Sequence, residues 1–163
     1  MPNVGFYGGT SFREIGPAAD MRIFFNCVRL AATRLSTAKD DGLLTDRLYR
    51  RYLRLDELDP ATTLVAQIQE IFADTQVNAV DWINLDWNKL SKLDLSLPNL
   101  GEIFDRYLIG AKDLISNARG FEKRFHIYKP VITIITDTPR FYVEKRRPLA
   151  EYDALEGDPM WFR

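Results

Sequence analysis

The chain has 163 residues, enough for one domain with its own core, and 46% hydrophobic against 28% charged residues is an ordinary balance for a globular protein. Its 22 Lys and Arg face 23 acids for a net charge of −1, which argues against a general grip on nucleic acid. No apolar run reaches the roughly 18 residues of a membrane span, and Met1 leads straight into a predicted strand, so the expectation is no membrane anchor, no secretory leader and a cytoplasmic setting.

Residues 3–15 predict a β-hairpin. Gly8-Gly9 suits a two-residue turn with positive φ at both positions, which sets Tyr7 opposite Thr10 and Gly5 opposite Phe12, whose ring would cover the bare glycine backbone. A three-residue loop sets Phe6 opposite Phe12 instead, and the apolar residues do not alternate cleanly enough to choose. Pro17 suits a first helical turn, and Met21, Phe24, Phe25, Val28, Ala32 and Leu35 then predict a helix over 17–36. Cys27, the lone cysteine, lies in that apolar stretch and reads as a buried small hydrophobe.

Leu44, Leu48, Tyr52 and Leu55 suggest a second helix within 43–58, with Arg47, Arg50, Arg51 and Arg54 along its other side. That row reads as a solvated face paired with Asp46, Asp56 or Glu57, set against a site for phosphate or an acidic partner. Asp59-Pro60 reads as N-cap and first residue of a helix over 60–75, with Asp56, Glu57 and Asp59 at the positive end of its dipole. Residues 78–99 are the least regular, although Leu93, Leu95 and Leu97 alternate as in a half-buried strand. From Leu100 to Ala118 one apolar face persists, with Gly120 as the expected stop. Residues 131–136, VITIIT, predict a buried strand, and 141–147, FYVEKRR, are the candidate for its return. Residues 148–163 lack strong periodicity and read as a possible extended tail on a single domain spanning 1–163. Strands at both ends with helices between them predict an α+β fold. The hairpin and C-terminal strands share a mainly antiparallel sheet against three or four helices.

Motifs for catalysis are sparse. His126 is the only histidine and sits among Lys123, Arg124 and Lys129, so it reads as structural. One His and one Cys give no zinc-ligand spacing, and the glycines match no phosphate-loop pattern. Neither cofactor nor metal is expected. In VDWINLDW, Trp82 and Trp87 are interleaved with Asp81 and Asp86, and aromatic residues of this kind are either core or binding hot spots.

The order of these pieces resembles the immunity protein 70 family of bacterial polymorphic toxin and contact-dependent growth inhibition systems. The resemblance rests on the VGFYGGTSFREIG hairpin, the helix carrying Phe24-Phe25, the Asp81-Trp82 segment, LGEIFDRYLIGAKDLI and the Ile-rich strand, over roughly residues 3–136. Residues 137–163 have no counterpart in it. The resemblance implies a non-enzymatic cytoplasmic protein that binds the C-terminal domain of a cognate toxin and blocks its active site. It implies no direct nucleic-acid contact and no membrane. Many such toxins are nucleases, and a basic partner favours an acidic complementary patch. On that physical ground Asp81, Trp82, Asp86 and Trp87 are the candidate partner-binding residues. The alternatives are a small carboxylate-dependent hydrolase and a non-catalytic interaction adaptor.

Overall fold

Strand β1 (Asn3–Gly8) pairs antiparallel with β2 (Ser11–Pro17) in a computed structural model that describes residues 3–9, 11–35, 42–125, 132–136 and 149–162. Gly8 faces Ser11 and Tyr7 faces Phe12, so the turn falls one residue later than Gly8-Gly9 and neither expected register forms. Of the two glycines only Gly9 has positive φ, at 60°. The Phe12 ring does cover Gly5, but from a diagonal position. Its Cε2 lies 2.8 Å from where a Gly5 Cβ would stand, beside a bulge at which the register slips between Val4 and Gly5.

Strand β3 (Ile132–Thr136) pairs antiparallel with the other edge of β1, giving the order β2-β1-β3. The fold is α+β, with a sheet that is three-stranded and antiparallel among the described residues and is packed with helices. Phe6 and Ile134, opposite one another, are both buried, as the β-branched run of β3 predicts. The returning strand expected at 141–147 lies outside the described residues.

Helix α1 (Ala18–Ala32) follows Pro17 directly and buries Met21, Phe24, Phe25, Cys27 and Val28. The helix expected within 43–58 is broken. A turn of π-helix covers Leu43–Leu48, started by Gly42 at φ 95°, and a 3₁₀ turn covers Leu55–Glu57. The cause lies between them. Tyr52 packs with Tyr152 in a small separate cluster while Leu53 joins the main core. An extended stretch, which sends successive side chains to opposite faces, satisfies both. Two arginines of the row find expected partners, Arg47 with Glu57 at 3.3 Å and Arg50 with Asp46 at 3.6 Å, while Arg54 pairs instead with Asp153 at 3.7 Å.

Helix α2 (Leu58–Ala73) begins two residues earlier than Asp59-Pro60 implies, with Glu57 as its N-cap and Pro60 inside the first turn, where its missing N–H has no helical partner. The long apolar face after Leu100 belongs to two helices, α3 (Leu100–Ile103) and α4 (Asp105–Phe125). The break falls at Phe104, whose fully buried ring sits 5.4 Å from Phe24, 5.7 Å from Phe72 and 5.4 Å from Tyr107. Helix α4 runs past Gly120, which is exposed and needs no cap conformation there.

The last described segment docks. Helix α5 (Leu149–Asp153) and a 3₁₀ turn at Met160–Phe162 return to the body. The buried Trp161 donates its indole N–H to the Tyr49 carbonyl at 2.8 Å, and its ring meets Tyr49 edge-on at 5.5 Å.

Gly5 and Gly110 separate two kinds of close approach. A Cβ on Gly5 strikes the Arg13 backbone carbonyl, which cannot move without breaking the hairpin, whereas one on Gly110 meets the Ile15 Cδ1 methyl at 2.6 Å, the end of a flexible side chain. Gly5→Ala should therefore cost about 3 kcal/mol or more, and Gly110→Ala distinctly less. Urea unfolding of the two variants checks this, and equal losses would contradict it.

Candidate functional site

Residues 77–98 leave the end of α2 and return to the start of α3 without a regular element beyond two short 3₁₀ turns, Val77–Ala79 and Ile83–Leu85. Their ends meet. Gln76 bridges Asn99, the Val77 N–H donates to the Pro98 carbonyl at 3.2 Å, and the Leu100 N–H donates to the Thr75 carbonyl at 3.0 Å. This is a closed loop of Ω type, longer than the usual ~6–16 residues of that class, with its apolar side chains on the main core. Irregular segments beyond about 12–15 residues are uncommon in compact domains and usually functional. The strand expected from Leu93, Leu95 and Leu97 does not form. These leucines are indeed half-buried between exposed neighbours, but no strand pairs with them. Asp94 instead turns the chain by accepting from the Ser96 N–H and hydroxyl.

The loop is fastened from below. Asp20, in the first turn of α1, is 1% exposed, and its carboxylate accepts from the Ser91 hydroxyl at 2.7 Å and the Lys92 N–H at 2.9 Å. The positive end of α1 suits a buried carboxylate at that position. Tyr107 lies close by; burial, and next to it the Asp20 charge, push its phenol well above the usual range. Asn26, farther along α1, donates to the Leu85 carbonyl at 3.1 Å. Val80, Trp82, Leu85, Trp87 and the three alternating leucines lay their apolar sides on the main core.

Three of the four candidate residues divide between two recesses, and Asp81 lines neither. Trp82 donates its indole N–H to the Val77 carbonyl at 3.0 Å, rests 6.4 Å from the Phe104 ring and lines an open groove of about 800 Å³ at the loop base. Asp86 and Trp87 line a smaller recess of about 390 Å³ with Arg22 and Phe162. There Asp86, at φ 69°, pairs with Arg22 at 3.5 Å, and the Arg22 guanidinium stacks 4.6 Å over Phe162. Asp81 is exposed and engages Asn84 at 2.6 Å. The Trp87 N–H donates to the Trp82 carbonyl at 3.0 Å, so the two recesses share one rigid backbone.

Sequence reasoning missed the loop's outer surface. Ile83 is 78% and Leu90 89% exposed, while the other exposed large apolar residues among those described lie at 47% or below. Scattered exposed apolar residues need no explanation, but the two extremes fall on one fastened loop. The signal lay in a segment whose acids and lysines interrupt every apolar period. Asp20 was equally hidden, because its partners lie more than seventy residues away.

The chemistry elsewhere is quiet. Burial alone pushes the Cys27 thiol up to about 12. His126 lies outside the described residues. Among the described residues no group of three or more His, Cys, Asp or Glu is placed to hold a metal ion, and no helix is long and apolar enough to cross a membrane. No family model, curated protein or solved structure matches the chain.

Two outcomes follow from the buried groups. Asp20→Ala leaves the Ser91 hydroxyl and Lys92 N–H without their acceptor and should cost about 2–3 kcal/mol. Ser91→Ala removes one bond and should cost about 1 kcal/mol. Hydrogen exchange should show the Lys92 amide losing protection in Asp20→Ala while α4 amides keep theirs. Cys27 keeps its proton in the folded chain up to pH of about 12, whereas the unfolded thiol releases it near about 8.5. The unfolded state therefore binds fewer protons in that window, and the Cys27 contribution to stability falls as pH rises through it. Cys27→Ala should flatten this part of the stability–pH curve, and Cys27 should react with thiol reagents only after unfolding.

Proposed function

We propose that this chain is an immunity-type binding protein that neutralises a cognate bacterial toxin domain, with the Ω-loop at 77–98 as its docking element. The resemblance of the hairpin, the Phe24-Phe25 helix and the LGEIFDRYLIGAKDLI segment to immunity protein 70 supplies the class of partner. The observation that carries the choice of surface is the exposure of Ile83 and Leu90 on a loop held from beneath by Asp20 and Asn26. A binding element set on a rigid base loses little conformational entropy when a partner closes on it. Large side chains near its centre supply the anchors that dominate most interfaces. Blocking a toxin in this way requires cover of its active site and no reaction by this chain.

Co-expression with the C-terminal domain of a toxin encoded beside this chain should give a complex that survives gel filtration and should restore growth to cells the domain arrests. A toxic domain that shows no binding at micromolar concentration would overturn the reading. Ile83→Asp combined with Leu90→Asp should weaken the complex by about tenfold or more. Both sites are exposed, so the unfolding free energy should stay within about 0.5 kcal/mol of the parent. Calorimetric titration with full affinity retained would move the interface off the loop.

A further inference from the structure

The last described turn of the chain reaches the candidate loop by way of α1. Trp161 anchors the Met160–Phe162 turn: its ring is buried in the main core and its indole N–H is held by the Tyr49 carbonyl. Phe162 meets the Trp161 ring edge-on at 5.9 Å, so the same anchor sets where the Phe162 ring stands, beside Arg22 in the second turn of α1.

Arg22 is engaged on two sides. Its guanidinium lies 4.6 Å from the Phe162 ring centroid, and its Nε lies 3.5 Å from the Asp86 carboxylate. Asp86 is the one non-glycine residue with positive φ among those described, a left-handed backbone less favourable for Asp than for Gly. Trp87 follows, and its indole N–H, unlike that of Trp82, has no acceptor among the described residues. Asn26 and Asp20 grip the loop on either side of this corner, at Leu85 and at Ser91 and Lys92. At the corner itself the side-chain link to α1 is the Arg22 ion pair. An exposed ion pair holds little by itself, because ordering two side chains costs entropy. An arginine already seated on an aromatic ring has less freedom left to lose, so the ring strengthens the pair.

We propose that the Met160–Phe162 turn is a strap that steadies the Asp86–Trp87 corner of the loop through Arg22, so that tail and corner loosen together. The coupling lies within this chain and stands apart from the toxin-binding reading. It is also reciprocal: if the seated tail favours the closed corner, the closed corner favours the seated tail by the same factor.

The test is hydrogen exchange followed by NMR on the full chain and two mild variants. Phe162→Leu keeps an apolar side chain and removes the π-face. Asp86→Asn removes the charge and keeps a residue that tolerates the left-handed backbone. In Phe162→Leu the Trp87 amide, which donates to the Trp82 carbonyl, should exchange about twofold to fivefold faster. The Lys92 amide, held by Asp20, should keep its rate. In Asp86→Asn the Trp161 indole N–H should exchange faster by a similar factor, although that substitution lies on the loop. Adding Phe162→Leu to Asp86→Asn should change the Trp87 rate no further, since the link is already cut. An unchanged Trp87 rate in Phe162→Leu would overturn the proposal. So would an equal rise at Lys92 and along α4, which reports a general loss of stability, or effects of the two substitutions that simply add. None of these outcomes bears on whether a toxin domain binds, so the two proposals fail separately.

Discussion

One buried carboxylate joins the two parts of this molecule. Asp20 projects from the first turn of α1 into a place where water does not reach, and its two acceptor oxygens meet a hydroxyl and a backbone N–H of the Ω-loop. A charge in such a place is tolerable only where hydrogen bonds replace its hydration, so the loop and the carboxylate need one another. Without the Ser91 hydroxyl and the Lys92 N–H, Asp20 would be an unsatisfied buried acid. Without Asp20 the loop would have Asn26 and its own apolar underside to hold it on α1. The path the chain takes between α2 and α3 depends on this contact.

Around it the core is aromatic. Phe24 of α1, Phe72 of α2, and Phe104 and Tyr107 at the α3–α4 junction meet at ring distances of 5.1 to 6.2 Å. Trp82 lies at the edge of this group and passes its rigidity outward to the loop. The result is a loop without regular structure that is still fixed in place, its lower face part of the core and its upper face almost wholly in solvent. Its exposed groups mix the apolar tips of Ile83 and Leu90 with acids, lysines and asparagines. The toxin-binding proposal draws on this division of faces.

The sequence and the structure agree best where periodicity is uninterrupted. Met21 to Val28, Leu64 to Phe72 and Thr133 to Ile135 each bury as their spacing requires. Disagreement comes where a single apolar pattern serves two elements. Leu100 to Ala118 reads as one helix because Phe104 fits the face, yet the burial of that ring is what bends the chain between α3 and α4. Tyr52 and Leu53 likewise look helical until their separate destinations are known. The leucines at 93, 95 and 97 show that alternation reports only which residues face the core, since a strand also needs a neighbour to pair with. Of the candidate site, the Trp-rich segment was legible as unusual. The sharing of Trp82 and Trp87 between two recesses was not, because it depends on contacts with α1, α2 and Phe162 that no local pattern encodes.

The position of β1 at the centre of the sheet bears on the order in which the protein is made. Its hairpin partner follows within a few residues, but its second neighbour, β3, begins at Ile132. A nascent chain therefore carries Val4, Phe6 and Tyr7 for most of its synthesis on a strand with one bare edge, and unpaired edges of this kind recruit other strands. Helix α4, whose Gly110 lies close to Phe6 and Ile15, precedes β3 by only a few residues, so the edge stays bare until the end of the described chain is made.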